Sequence, residues 1–98
     1  MPEIILKTDN LDKATRVLQE AIETEVSRLR YSLDLSKKRL LKFEKKYNVS
    51  SEIFIRDWAA EDLEGKDMEY VEWAGEFELA SRLNDRLTTL TSIEHVPS

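Results

Sequence analysis

From Leu11 to Tyr47, apolar residues recur every three or four positions: Leu11, Ala14, Leu18, Ala21/Ile22, Val26, Leu29, Leu33, Leu40, Phe43 and Tyr47. Polar and charged residues fill most of the gaps. The spacing predicts a long amphipathic helix, and neither glycine nor proline interrupts the chain from Glu3 to Glu64. A helix of roughly 35 residues is about 50 Å long. That exceeds what a compact domain of this size needs, so another long helix must cover much of its apolar face. Two seven-residue series run through it: Ile22, Leu29, Ser36, Phe43 and Val26, Leu33, Leu40, Tyr47. They occupy the two seam positions of a coiled coil. Ser36 weakens one layer, and the pattern is looser before Ile22.

The flanking residues set the boundaries. Glu3 to Thr8 are apolar and β-branched, too few for a stable helix. Two readings stand: a short N-terminal strand that needs a partner, or a frayed terminus with its apolar side chains tucked on the helix. Asp9 and Asn10 offer an N-cap, and Asp12 places negative charge in the first turn. Lys42, Lys45 and Lys46 suit the helix C-terminus, and Asn48 is a left-handed stop. Ser50 or Ser51 then caps a shorter helix over 50–63, whose apolar residues are Ile53, Phe54, Trp58 and Leu63. Glu64–Asp67, with Gly65, forms a turn. A third helix over 67–94 carries Tyr70, Trp73/Ala74, Phe77, Ala80, Leu83, Leu87, Leu90 and Ile93 on one face, and Pro97 lies past its end. At about 40 Å it nearly matches the first. Gly75 inside it costs about 1 kcal/mol relative to alanine, which marks close approach of another backbone or a large aromatic.

Charge decides how the long helices run. The first is acidic early (Asp12, Glu20, Glu23, Glu25) and basic late (Arg28, Arg30, Lys37, Lys38, Arg39, Lys42, Lys45, Lys46), with Asp34 and Glu44 as exceptions. The third has the same order: Asp67, Glu69, Glu72, Glu76 and Glu78 precede Arg82 and Arg86. Parallel packing sets like against like; antiparallel packing sets each half against its opposite. Each exposed pair contributes only a few tenths of a kcal/mol, but several together choose a direction, and the short connection demands the same choice. The expected fold is therefore mainly α: one domain, a long antiparallel, coiled-coil-like hairpin with a short intervening helix. So elongated a hairpin buries little core. A homodimer, as a four-helix bundle, is expected, with Ile22, Val26, Leu29, Leu33, Leu40 and Phe43 as the oligomer seam. The alternative is a monomer whose middle helix folds back as a lid over one end.

Composition narrows the classes. Of 98 residues 36% are charged, as long solvated helices require, and cysteine is absent. That removes disulfides, thiol nucleophiles and thiolate metal sites, and fits a cytoplasmic protein. Met1–Lys7 has neither a basic start nor a small-residue cleavage site, so no signal peptide is expected, and no apolar stretch approaches the roughly 20 residues of a membrane helix. A net charge of −5 opposes general nucleic-acid binding.

Catalytic chemistry is thinly represented. His95, the only histidine, sits in the tail, so no serine has a base within reach. Gly65 and Gly75 stand alone and form no phosphate loop. An acidic cluster is denser: Glu61, Asp62, Glu64, Asp67, Glu69, Glu72 and Glu76. Glu69, Glu72 and Glu76 share a helix face and could hold Mg²⁺. Glu69-x-x-Glu72 superficially resembles half the motif of all-helical MazG-type nucleoside-triphosphate pyrophosphohydrolases. The downstream Glu-x-x-Asp half is missing, and Glu20-x-x-Glu23 falls at the wrong end of an antiparallel pair. Acidic first turns favoured by the helix dipole explain the cluster more simply. No metal and no cofactor is expected. The aromatics Trp58, Tyr70, Trp73 and Phe77 either close the hairpin against Phe43 and Tyr47 or remain partly exposed as protein anchors. The basic run Lys37–Lys46, interleaved with Leu40, Leu41 and Phe43, reads as the flank that pairs with the third helix.

Phe43 to Leu87 carries Lys46, Tyr47, Ser50, Ser51 and Phe54, then Glu69, Glu72, Trp73, Gly75 and Glu76. This stretch resembles small helical proteins encoded beside TumE-like toxins, which have a Lys-Tyr-x-x-Ser-Ser-x-x-Phe segment and a Glu-x-x-Glu-Trp-x-Gly-Glu stretch. The resemblance covers about half the chain and implies an antitoxin-like, non-enzymatic component that masks a basic toxin. The expected partner surface is Trp58, Tyr70, Trp73 and Phe77 with Glu69, Glu72 and Glu76; Glu3–Thr8 could add to a partner's sheet edge. The alternatives are the Mg-dependent pyrophosphohydrolase and a purely structural coiled-coil adaptor. No helix-turn-helix or ribbon-helix-helix signature is evident, so DNA binding is not carried over.

Overall fold

The computed structural model describes residues 2–58 and 68–93. Helix α1 spans Leu11–Tyr47, α2 opens as one turn at Ser51–Ile53 and continues as a π-helical segment over Phe54–Trp58, and α3 spans Met68–Thr91. The long helices run antiparallel, and charge order supplies the direction. Lys46 meets Glu69 at 2.6 Å, Arg39 meets Glu76 at 3.4 Å, and Arg86 approaches Glu25 at 3.6 Å. Along α1 the numbers fall while along α3 they rise, and the first two pairs lie one heptad apart on both helices. The hairpin is therefore in coiled-coil register.

Local chemistry sets the ends of α1. Asn10 Oδ1 accepts the Lys13 amide at 3.1 Å. At the other end Asn48 adopts the left-handed conformation (φ 54°, ψ 45°), and the Asn48 and Val49 amides both turn back to the Glu44 carbonyl. Ser50 caps α2 by accepting the Ile53 amide at 3.2 Å. The regular helix expected over 50–63 is instead π-wound from Phe54, and its remainder, with Leu63, lies outside the described residues, as does the turn at Glu64–Asp67. Helix α3 stops at Thr91, and Glu94, His95 and Pro97 also lie outside them.

Two expectations about apolar cover change. Among the described residues no strand forms, because nothing in the hairpin offers Glu3–Thr8 an edge to pair with. Nor are those side chains tucked on the helix: Ile4, Ile5 and Leu6 are 85%, 79% and 69% exposed. The seam assigned to a second copy faces this chain's own α3. Leu29, Leu33 and Leu40 are buried, while Ile22, Val26 and Phe43 are half-buried.

Ser36, the weak layer, is fully buried and donates to the Glu76 carboxylate at 2.6 Å. The layer is polar and satisfied, and a polar pair at one seam position specifies register.

The molecule measures 58 × 25 × 19 Å with a radius of gyration of 19.0 Å, where a compact domain of this length has about 13 Å. With 37 residues against 24, α1 outruns α3 by about 20 Å. The excess lies at the start of α1.

Candidate interaction surfaces

At the closed end, where α1 hands over to α2, the expected aromatic cluster turns inward. Trp73 and Phe54 are both 0% exposed and stack at 3.8 Å between ring centroids with planes 4° apart. Phe43 stacks on Trp73 at 5.5 Å, 11° from parallel. Tyr47 and Tyr70 pack edge-on at 5.4 Å. The indole Nε1 of Trp73 donates to Ser51 Oγ at 2.8 Å, and the Ser51 amide donates to Glu44 Oε2 at 2.8 Å. Glu44 of α1, Ser51 of α2 and Trp73 of α3 thus form one polar chain through the core, satisfying groups that are costly to bury unpaired. Trp73 is consequently no surface anchor, because its ring fills the middle of the clasp. Trp58, Tyr70 and Phe77 are half-buried at its edge.

The three glutamates do not converge on a cation. Glu69 accepts from Lys46 Nζ at 2.6 Å and from the Tyr47 hydroxyl, and these hydrogen bonds hold its carboxyl below the usual glutamate range. Glu76 accepts from Ser36 and Arg39. Glu72 is exposed and lines a shallow groove with Arg39, Lys42, Phe43 and Lys46. The carboxylates therefore answer the basic half of α1, as charge order requires. No group of three or more acidic or histidine side chains suited to a metal occurs among the described residues. Glu61, Asp62, Glu64 and Asp67 lie outside them.

The open end is different. Leu11 and Leu18 continue the apolar stripe of α1 past the point where α3 stops, and both are exposed, as is Val17 nearby. Ile4, Ile5 and Leu6 precede them. The Thr8 hydroxyl donates to the Asn10 carbonyl and accepts the Asn10 amide, which fixes the corner where this arm enters the helix. Seven large aliphatic or aromatic side chains elsewhere (Tyr31, Leu41, Ile53, Met68, Val71, Leu79 and Ile93) are also exposed, but none of those runs consecutively along the chain. The arm was legible as an apolar, β-branched run. The Glu44–Ser51–Trp73 chain was not, because no local pattern links residues so far apart.

Compared with known protein families, curated proteins and solved structures, the chain gives no match. None of the comparisons links Phe43–Leu87 to antitoxin-like proteins, and most of the motif residues in that stretch build the clasp. No helix among the described residues is long and apolar enough to cross a membrane.

Proposed function

We propose that this chain is a non-enzymatic, self-associating protein-interaction module. In kind it is antitoxin-like: a clasped helical hairpin that presents an apolar arm, residues 4–6 with Leu11, Val17 and Leu18, to a protein partner. The exposure of three consecutive aliphatic side chains, Ile4, Ile5 and Leu6, carries the reading. Isolated exposed leucines are ordinary, whereas a contiguous apolar run marks a surface that another molecule covers. A β-branched arm of this kind can add as a strand to a sheet edge or order itself on binding. The net charge of −5 favours a basic partner, and the motif in Phe43–Leu87 supplies the class, a toxin encoded beside it.

Co-expression with the product of the adjacent gene tests this reading. The wild-type chain should co-purify with that product and relieve its toxicity. Replacing Ile5 and Leu6 with aspartate should abolish both effects and leave thermal stability unchanged, since neither side chain packs on the hairpin. Absence of a complex with the wild-type chain, or undiminished binding by the doubly substituted one, would overturn it.

A further inference from the structure

Gly75 lies in the interior of α3, with no φ in the left-handed region, so its backbone does not require glycine. Nor does the packing. A Cβ built on Gly75 meets nothing within 4 Å, and neither the aromatic nor the second backbone expected beside it is there. A mid-helix glycine that costs about 1 kcal/mol and serves no contact shown inside the chain leaves open space on the outer surface of α3.

Its surroundings define what fits that space. Met68, Glu72, Gly75, Leu79, Arg82 and Arg86 are spaced alternately by four and three residues, the period of a coiled-coil seam. All six are exposed; Glu72 and Arg86 border α1, where Glu72 shares a groove with Arg39, Lys42 and Lys46 and Arg86 approaches Glu25 at 3.6 Å. This second seam is self-complementary on reversal. When two copies of α3 cross antiparallel about a twofold axis midway between Gly75 and Leu79, Leu79 seats over Gly75 of the partner subunit. Glu72 then faces Arg82 of the partner subunit, and symmetry repeats each contact. Among the described residues Arg82 pairs with Glu78 of its own helix at 2.6 Å, with both side chains mostly in solvent, so it can change partners at small cost.

The elongated shape leaves area enough for a second copy. The chain exposes 8194 Å², whereas a compact monomer of this length exposes roughly 5,800 Å². The excess comfortably covers the roughly 800 Å² per partner of a standard interface.

We infer that the α3 face centred on Gly75 is a self-association surface, on which two copies of this chain pair antiparallel with Leu79 over Gly75 and with Glu72 against Arg82. The inference rests on the self-association in the proposed function and moves it from the α1 seam to α3. It is independent of the arm and of any toxin.

Sedimentation of the purified full-length chain over a concentration series tests it. The wild type should dimerise. Gly75→Gln should weaken dimerisation about tenfold or more, because a side chain now fills the hole that Leu79 needs, yet it should raise the melting temperature of the dilute monomer, since glutamine favours helix and the space is open. Glu72→Arg and Arg82→Glu should each be monomeric with unchanged helicity. Mixed one to one, they should form a heterodimer, because both ion pairs are then restored. A wild type that stays monomeric at every concentration overturns self-association and this surface together. A dimer indifferent to Gly75→Gln and to both charge reversals overturns this surface alone. In either case binding through the arm stands or falls on its own test.

Discussion

The two ends of the hairpin are made of the same helices and could hardly differ more. At the closed end α1, α2 and α3 share a stack of rings, every buried polar side-chain atom among the described residues has a partner, and Lys46 sits 2.6 Å from Glu69. At the open end the apolar stripe of α1 runs on without cover among the described residues, with Leu11 and Leu18 exposed, and the cross-helix ion pair between Arg86 and Glu25 stretches to 3.6 Å. Among the described residues six apolar side chains are buried: Leu29, Leu33, Leu40, Phe54, Trp73 and Ala80. Fully burying a leucine or phenylalanine side chain contributes about 1.5–3 kcal/mol each, so most of the stability gathers from mid-hairpin to the clasp. Apolar surface at the open end contributes almost nothing to folding, which leaves it available for binding.

The contrast breaks most sharply at Trp73. Trp73→Ala removes the ring between Phe43 and Phe54 and strands the buried Ser51 hydroxyl without its donor. A loss of about 3–5 kcal/mol is expected, the usual cost of deleting a large buried aromatic. Chemical denaturation measures it. A loss below about 1 kcal/mol would mean that the clasp is not where the fold is held.

Acid should sharpen the contrast with a smaller effect. Glu69 has its carboxyl lowered by the Lys46 and Tyr47 hydrogen bonds, and Glu25 by Arg28 of its own helix. A depressed carboxylate contributes stability that is present above its unfolded value near 4.5 and is lost as pH falls through the lower folded value. Both groups therefore make the protein less stable in acid, but they link different things. Glu69 ties α3 to α1, whereas Glu25 bonds chiefly its neighbour one turn away. In melting curves between pH 7 and pH 3, Glu69→Gln should flatten the acid dependence and lower the neutral-pH melting temperature more than Glu25→Gln does. Equal effects would remove the electrostatic part of the difference between the ends.

Much of the hairpin could be read from residues because its determinants are local or periodic. The heptads fix which face of α1 is buried, Asn10 and Asn48 mark its ends, and the order of charges along α1 and α3 chooses antiparallel packing. What escaped depends on distance in sequence or on empty space. For Trp73 the sequence leaves two readings, a ring closing the hairpin against Phe43 and Tyr47 or a surface anchor, because a cluster of rings beside carboxylates also has the composition of a binding patch. Trp73 takes the first in the structure. Its burial depends on Ser51 arriving from α2 to receive the indole hydrogen. Ser36 looked like a defect because its partner, Glu76, is forty positions away. Gly75 reads as a sign of close approach by a backbone or a large aromatic, yet a Cβ built there meets nothing within 4 Å, and periodicity cannot say whether the space beside a residue is filled.

The smallest expected effect on stability is also the most diagnostic of what the open end is for. Leu11 and Leu18 lie on the stripe that buries Leu29 and Leu33, so periodicity alone assigns them to the core. They are 59% and 47% exposed because α3 has ended before reaching them. Substituting both with glutamine, which keeps helix propensity close to that of leucine, removes little buried area. The change in unfolding free energy should stay within about 0.5 kcal/mol, as for surface positions generally. Amide exchange should already be faster for 11–20 than for 40–47 in the wild type, since the first segment lies beyond the end of α3 and can fray. If the double substitution instead costs as much as truncating a buried leucine, about 2–5 kcal/mol, the start of α1 is covered in solution. The open end would then be part of the core and could not serve as the binding arm.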